Sequence, residues 1–366
     1  MNSGVNLPTQ DMNKEIKVNP IIRMILPFVL GFSGVFIMML FQTISFHPVK
    51  SIVSFLNKKE AKEIIKNTKI EEKLKDKSNT FKIKNGPIFP QVYGDDSENQ
   101  AKAYGVIDLK TGDIYAQKNI TDSVPIASIT KLMSAIVALD LVKNDEVFTI
   151  SQNASKVSPT RIGVVPGEKM KVKELLNAML LTSANDAAQV LMEGVNTKYG
   201  QDIFVKAMNY KAKFLNLENT NFSNPQGFDS KDNYSSVSDL AVLTNYALNH
   251  YPEIVDIVKK DYEFLPRNKN HKQFDLYNWN GLLGVYPGVQ GMKIGNTDDA
   301  GYTTIVVAQR NGKKLASIVL GAPGVVQRDL WAAQLLDSGF KKLDVPPARI
   351  TDVELKAKYS GWKYWN

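Results

Sequence analysis

Three short stretches of this 366-residue chain hold side chains that could react. In "SITKLM", Ser128 and Lys131 stand at i and i+3, neighbours on one helical face, so the lysine amine can reach the serine hydroxyl. An amine at the mouth of an apolar helix is desolvated, which disfavours its charged form and suits it to take a proton from serine. The helix N-terminus adds a dipole favourable to developing negative charge. Such a pair can carry acyl transfer through a serine ester. "LLTSANDAAQVL" supplies Ser183 and Asn185 at a turn between two apolar segments, where Asn185 or Asp186 could equally be a helix cap. The third stretch, "GVQGMKIGNTDDAGYTT", sets Lys293 between glycines ahead of a strand-like run. A rival, Lys110 in "LKTGD", lies at a turn with no other reactive side chain beside it, so Lys293 is preferred.

Other chemistries find little support. The chain has three histidines, no Gly-x-Ser-x-Gly elbow and no His-Glu-x-x-His spacing, which argues against serine-histidine-aspartate hydrolysis and catalytic zinc. His271, in "RNKNHKQ", reads as a solvated loop residue. No cysteine is present, so disulfides and thiolate metal sites are excluded. No Walker-type phosphate loop occurs, and neither a metal nor a cofactor is expected. The net charge of +8 is concentrated. Between His47 and Lys84 eleven lysines face five acidic residues, which describes a basic stalk rather than a nucleic-acid-reading surface.

The elements that must position these residues can be read along the chain. Residues 1–23 are expected to be an N-terminal cytoplasmic tail. Met24 to Phe46 carries no formal charge over 23 residues, enough for a helix to span a bilayer core of about 30 Å, and reads as an uncleaved anchor. Lysines are more numerous after it than before it, a count that by itself would keep the large domain in the cytoplasm. Residues 47–99 read as a solvated, partly helical linker. A globular domain over 100–345 begins with a hairpin, "KAYGVIDLKTGDIYAQKN". A helix buried on all sides follows in "ASITKLMSAIVALDLVKND". Further helices fall at "KVKELLNAMLL", "NDAAQVLMEGV" and "VSDLAVLTNYALNHY". Two strands flank an Asn-Gly turn in "YTTIVVAQRNGKKLASIVLGA", and a helix at "RDLWAAQLLDSGF" has Gly339 placed as its C-cap. Residues 346–366 are expected to be a tail.

From about Ala101 to Phe340 the chain resembles the serine D-alanyl-D-alanine carboxypeptidases, the low-molecular-mass penicillin-binding proteins. The likeness rests on "SITKLM", "SANDAA", "NTNFSNPQGFD", "YPGVQGMKIGNTDDAGY" and "RDLWAAQLLDSGF", in that order. It implies an α+β fold of the penicillin-binding and serine β-lactamase group: a five-stranded antiparallel sheet flanked by helices, plus an all-helical lobe. It implies Ser128 as the acylated nucleophile, Lys131 as its base, Ser183 as proton shuttle and Asn185 as a substrate contact. Lys293 resembles the third-box lysine, Arg328 the arginine that draws in the substrate carboxylate, and the backbone amides of Ser128 and Asn296 the oxyanion hole. The family usually has threonine where this chain has Ile294, which cannot donate a hydrogen bond to that carboxylate; Thr297 or Arg328 is expected to compensate. The implied partners are peptidoglycan stem peptides ending in D-Ala-D-Ala and β-lactams, with the membrane held through the N-terminal helix and the domain on the extracytoplasmic side. Endopeptidase or transpeptidase activity, a β-lactamase, and a wall-binding protein with weakened catalysis remain alternatives.

Overall fold

Two strand pairs and a fifth edge strand account for the alternating apolar stretches at the two ends of the domain. Strand β1 (Ala103–Asp108) turns into β2 (Ile114–Lys118), and β3 (Val289–Thr297), β4 (Gly301–Arg310) and β5 (Lys313–Ala322) form a meander. All pair antiparallel in the order β2-β1-β5-β4-β3, the five-stranded sheet expected from the resemblance. Asn311 and Gly312, both at positive φ, make the tight turn between β4 and β5, as the Asn-Gly pair predicts. The computed structural model describes residues 68–75, 77–84 and 100–362, which all belong to the unit Lys66–Asn366. The tail over 1–23 and the anchor expected over 24–46 lie outside the described residues. Among those described, no helix is long and apolar enough to cross a membrane.

Because side chains alternate across a strand, the sheet has two apolar faces. Ile107, Ile305, Val307, Ile318 and Leu320 face a large core built with α1 (Lys131–Leu141), α2 (Val172–Leu181), α3 (Asn185–Tyr199), α4 (Ile203–Phe214), α5 (Val237–His250) and α6 (Pro252–Val258). Val106, Val306, Ala308, Leu315 and Val319 face α7 (Val325–Lys342), through Trp331, Leu335, Leu336 and Phe340. Helix α1 is buried from Lys131 to Ala138 and again at Leu141, as its all-round apolar composition requires.

The structure corrects four of the sequence expectations. Gly339 does not cap α7, which runs on to Lys342; a Cβ there would come within 2.7 Å of Leu315 Cδ1, so glycine serves close helix-to-sheet contact. Residues 68–84, inside the expected solvated linker, are docked: a helical turn over 68–74 buries Ile70 and Leu74 in the main core. Lys84 N–H donates to the Gly112 carbonyl at 2.9 Å. That strap also covers the buried Lys211–Asp140 ion pair, with Lys211 Nζ donating to the Leu74 carbonyl. The expected tail after residue 345 carries another helix, α8 (Asp352–Ser360), whose Leu355 is fully buried against α7 and the sheet. His271 is buried rather than solvated, its ring between Asn268 Nδ2 and the Lys272 carbonyl, because the surrounding loop folds back onto Glu168.

Candidate active site

Ser128 lies on a single 3-10 turn, Ala127–Thr130, and α1 begins at Lys131. The sequence reading placed both on one α-helix. A 3-10 turn eclipses i and i+3 more closely than an α-helix does, so it sets the lysine directly over the serine. Lys131 Nζ is 2.8 Å from Ser128 Oγ, 2.6 Å from Asn185 Oδ1 and 2.5 Å from the Gln226 carbonyl. Asn185 cannot present its amide the other way, since its Nδ2 donates to the Pro159 carbonyl at 2.6 Å. The Asn185 and Gln226 oxygens can only accept, so they take two N–H groups of the amine. As an ammonium Lys131 also donates its third N–H to Ser128 Oγ; once that proton is lost, the lone pair is left for the Ser128 hydroxyl to donate to. Burial pushes the Lys131 amine well below its ordinary pKa; the charge of Lys293 adds to this and Asp186 opposes it.

The second lysine comes from the edge strand. Lys293 is buried, with Nζ donating to Ser183 Oγ at 2.9 Å and to the Ile294 carbonyl at 2.8 Å. Burial first, and then the Arg328 charge, pull its pKa down to about 7. Ser183 sits at φ +60° in the short turn between α2 and α3, a left-handed position rarely taken by a residue with a side chain. Asp186 fixes that turn against the neighbouring loop by accepting the backbone N–H groups of Ile162, Gly163 and Val164 at 3.2, 2.9 and 3.2 Å.

Two glycines allow the backbones to meet. A Cβ on Gly227 would stand 2.0 Å from the Ala127 carbonyl oxygen, and one on Gly295 would stand 2.8 Å from the Ser128 nitrogen. Gly295 thereby lets edge strand β3 pass beside the Ser128 N–H, with Asn296 exposed at the next position. Ala127, immediately before the serine, holds φ +49°, an uncommon conformation that the surrounding contacts impose. The loop after α4 acts as a cradle. Besides the Gln226 carbonyl it supplies the Pro225 carbonyl to Ser134 Oγ at 2.8 Å, and Asn233 Nδ2 to Thr130 Oγ1 at 3.0 Å.

The structure therefore brings these residues together as two neighbouring hydrogen-bonded groups, Ser128 and Asn185 on Lys131 and Ser183 on Lys293, with Asn296 and Thr297 following on β3. Two residues stand differently from expectation. Arg328 is wholly buried, its Nε and one Nη held by Asp329 at 2.7 and 2.8 Å, and Tyr359 of α8 donates to the same carboxylate at 2.8 Å. Thr297 spends its hydroxyl on Asp229 at 2.5 Å. Lys110 is exposed at the β1-β2 turn, its N–H on Asp108 Oδ1, in a different part of the fold from these residues. Gln226 was missed in the sequence because its contribution is a carbonyl; the "NPQGF" stretch was the available signal.

A family model described as D-alanyl-D-alanine carboxypeptidase matches residues 91–324. The chain is 32% identical over 254 residues to the D-alanyl-D-alanine carboxypeptidase DacF of Bacillus subtilis, a match covering 68% of this chain and 64% of that relative's length. Among solved structures, penicillin-binding protein D2 of Listeria monocytogenes in an ampicillin-bound form is 30% identical, with a TM-score of 0.58 over 69% of this chain and 100% of that one. A Streptomyces DD-transpeptidase is 26% identical, with a TM-score of 0.61 over 66% of this chain and 97% of that one.

The two lysines set a pH dependence. A reaction that needs Lys131 neutral and Lys293 charged slows on the acid side as Lys131 gains a proton, and above about pH 7 as Lys293 loses one. The pH profile of the second-order rate of Ser128 acylation by a β-lactam is expected to be a bell with its alkaline limb near neutrality. A rate rising steadily to pH 10 would deny Lys293 a charge-bearing role.

Proposed function

This chain belongs to the D-alanyl-D-alanine carboxypeptidase family, and on that premise we propose that it is a serine DD-peptidase, a hydrolase acting on peptidoglycan stem peptides that end in D-Ala-D-Ala. The observation that carries the reading is the Lys131 amine, desolvated and held by two obligate acceptors with the Ser128 hydroxyl as its third partner. Ser128 Oγ attacks the carbonyl carbon of the penultimate residue while Lys131 takes its proton. The oxyanion is received by the N–H groups of Ser128 and Asn296. Edge strand β3 gives an extended peptide a strand to lie along, and Asn185 contacts it from the other wall. Ser183, on the Lys293 ammonium, passes the proton to the leaving amine as the C–N bond breaks. Water then adds to the ester and frees Ser128.

β-Lactams are bound by the same route, since their strained amide acylates the same serine. A β-lactamase is disfavoured because Glu174, in the "ELLN" stretch, is spent on capping α2 through Lys171 N–H at 2.7 Å. The fluorescent-penicillin adduct is expected on Ser128 by mass mapping. Lys131→Ala should slow its formation by roughly 10²–10⁴-fold with the fold intact, and Lys110→Ala should leave it unchanged. A label on another residue, or none on folded protein, refutes the reading.

The substrate lies outside the cytoplasmic membrane, so the reading also requires residues 24–46 to anchor the chain with the domain facing outward. Protease added to cells stripped of their wall should then remove the domain. Protection until lysis would place it inside and withdraw the substrate.

A further inference from the structure

The end of the sheet farthest from the nucleophile holds an open groove of about 1190 Å³ that the reaction does not use. Gly295, beside the Ser128 N–H, pairs with Thr303 near the start of β4, whereas the Asn311-Gly312 turn closes that strand's other end, roughly 25 Å away at ~3.3 Å per residue. The β1-β2 turn stands beside it, since Asp108 pairs with Leu315. These two turns make one wall of the groove, and residues 78–84 of the strap make the other.

Five lysines line it: Lys82 and Lys84 from the strap, Lys110 from the first turn, and Lys313 and Lys314 at the second. All but Lys314 are exposed. Two carboxylates are present, and both are committed. Asp113 pairs with Lys84 at 2.9 Å and accepts the Thr111 hydroxyl at 2.6 Å. Asp108 is buried and accepts the backbone N–H groups of Lys110 and Thr111 at 2.7 and 3.1 Å. The groove thus keeps a surplus of positive charge, and an anion placed in it relieves the repulsion between its lysines.

The path of the chain indicates which anion it meets. The strap joins the domain at the C-terminal end of α1, where Tyr199 donates to the Leu141 carbonyl at 2.7 Å and Lys73 donates to the Tyr199 hydroxyl at 3.1 Å. The same end of α1 adjoins the groove, since Tyr251, next in sequence to the groove residue His250, donates to Asp140 at 2.7 Å. Lys131 and Ser128 are at the other end of that helix. The chain therefore enters the described domain at the pole that holds the groove and lies opposite the cleft. Resting on the anchored serine-peptidase reading above, we propose that this groove docks on the phosphates of anionic lipid headgroups, so that the domain stands on the membrane with its cleft turned away.

The test uses the full chain in lipid discs of phosphatidylglycerol or of phosphatidylcholine, each carrying a quencher on its headgroups. The chain has no cysteine, so Ser78→Cys at the groove and Asp298→Cys at the β3-β4 turn each take a single dye. The groove dye should be quenched in phosphatidylglycerol. It should lose most of that quenching in phosphatidylcholine, or at about 1 M salt, where the screening length falls to about 3 Å. The cleft dye should stay bright in both lipids. Lys110→Glu combined with Lys313→Glu should abolish the difference between the lipids while Ser128 still takes fluorescent penicillin, a sign that the variant is folded. If it does not fold, the salt and lipid dependence of the native lysines decides alone. Equal quenching of the groove dye in the two lipids, or quenching of the cleft dye instead, overturns the proposal. A groove dye quenched in neither lipid but altered by a soluble phosphodiester polymer would assign the lysines to that polymer and overturn the lipid as well. A chain that enters neither disc ends the anchor reading and this inference with it, whereas an inserted, penicillin-labelled chain with equal quenching ends this inference alone.

Discussion

A lysine amine with no solvent exposure is the constraint around which this domain is arranged. An ammonium taken out of water is disfavoured, so burial, aided by the Lys293 charge and opposed by Asp186, drives the Lys131 pKa well down, and an amine that has lost its proton has one lone pair to direct. Direction comes from the Asn185 side chain and the Gln226 carbonyl, which are 54 and 95 residues away in sequence. Each is itself fixed: Asn185 by Pro159, and the Gln226 side chain by Gln189 at 2.6 Å. The lone pair is thereby aimed at Ser128.

The remaining architecture serves that aim. Helix α1 must be apolar all round so that its first residue is dry, which explains why it is enclosed by α2, α3, α4 and α5 while the 3-10 turn before it meets β3 and β4. The sheet ends in an edge strand beside the serine, which leaves one side of that strand's backbone unpaired within the sheet, as the proposed peptide docking needs. Glycines at 227 and 295 are required where two backbones approach the 3-10 turn from opposite sides. The face of the sheet away from the nucleophile has a separate task. There α7 and α8 bury Arg328 with Asp329 and Tyr359, and the nearby positive charge lowers the pKa of Lys293 without opening to the cleft.

Much of this was legible because it is local. The Ser128–Lys131 spacing, the apolar helix after it, and the strands around Asn311-Gly312 each carry a pattern within a dozen residues. The grouping of Lys293 with Ser183 was legible only through resemblance, since 110 residues separate them. Other features leave no local trace. A backbone acceptor such as the Gln226 carbonyl has no residue-type signature, and the 3-10 geometry at Ser128 is imposed by its surroundings. Ile70 and Leu74 looked like stray apolar residues in a lysine-rich run because their partners lie on the helical lobe. Gly339 looked like a cap because a glycine near a helix end is usually one; its packing against Leu315 depends on a strand 24 residues earlier. Arg328 could be placed in sequence, but its burial depends on Tyr359, in a segment that read as a tail.

The central claim is that Lys131 is a neutral amine aimed at Ser128 in the resting protein. Side-chain NMR of labelled lysine, with the Lys131 resonance assigned by its loss in Lys131→Arg, measures that protonation state directly. The account predicts a neutral-amine shift at pH 7, with protonation only on acidification. A resonance that stays that of an ammonium up to about pH 10, the ordinary lysine range, would contradict it.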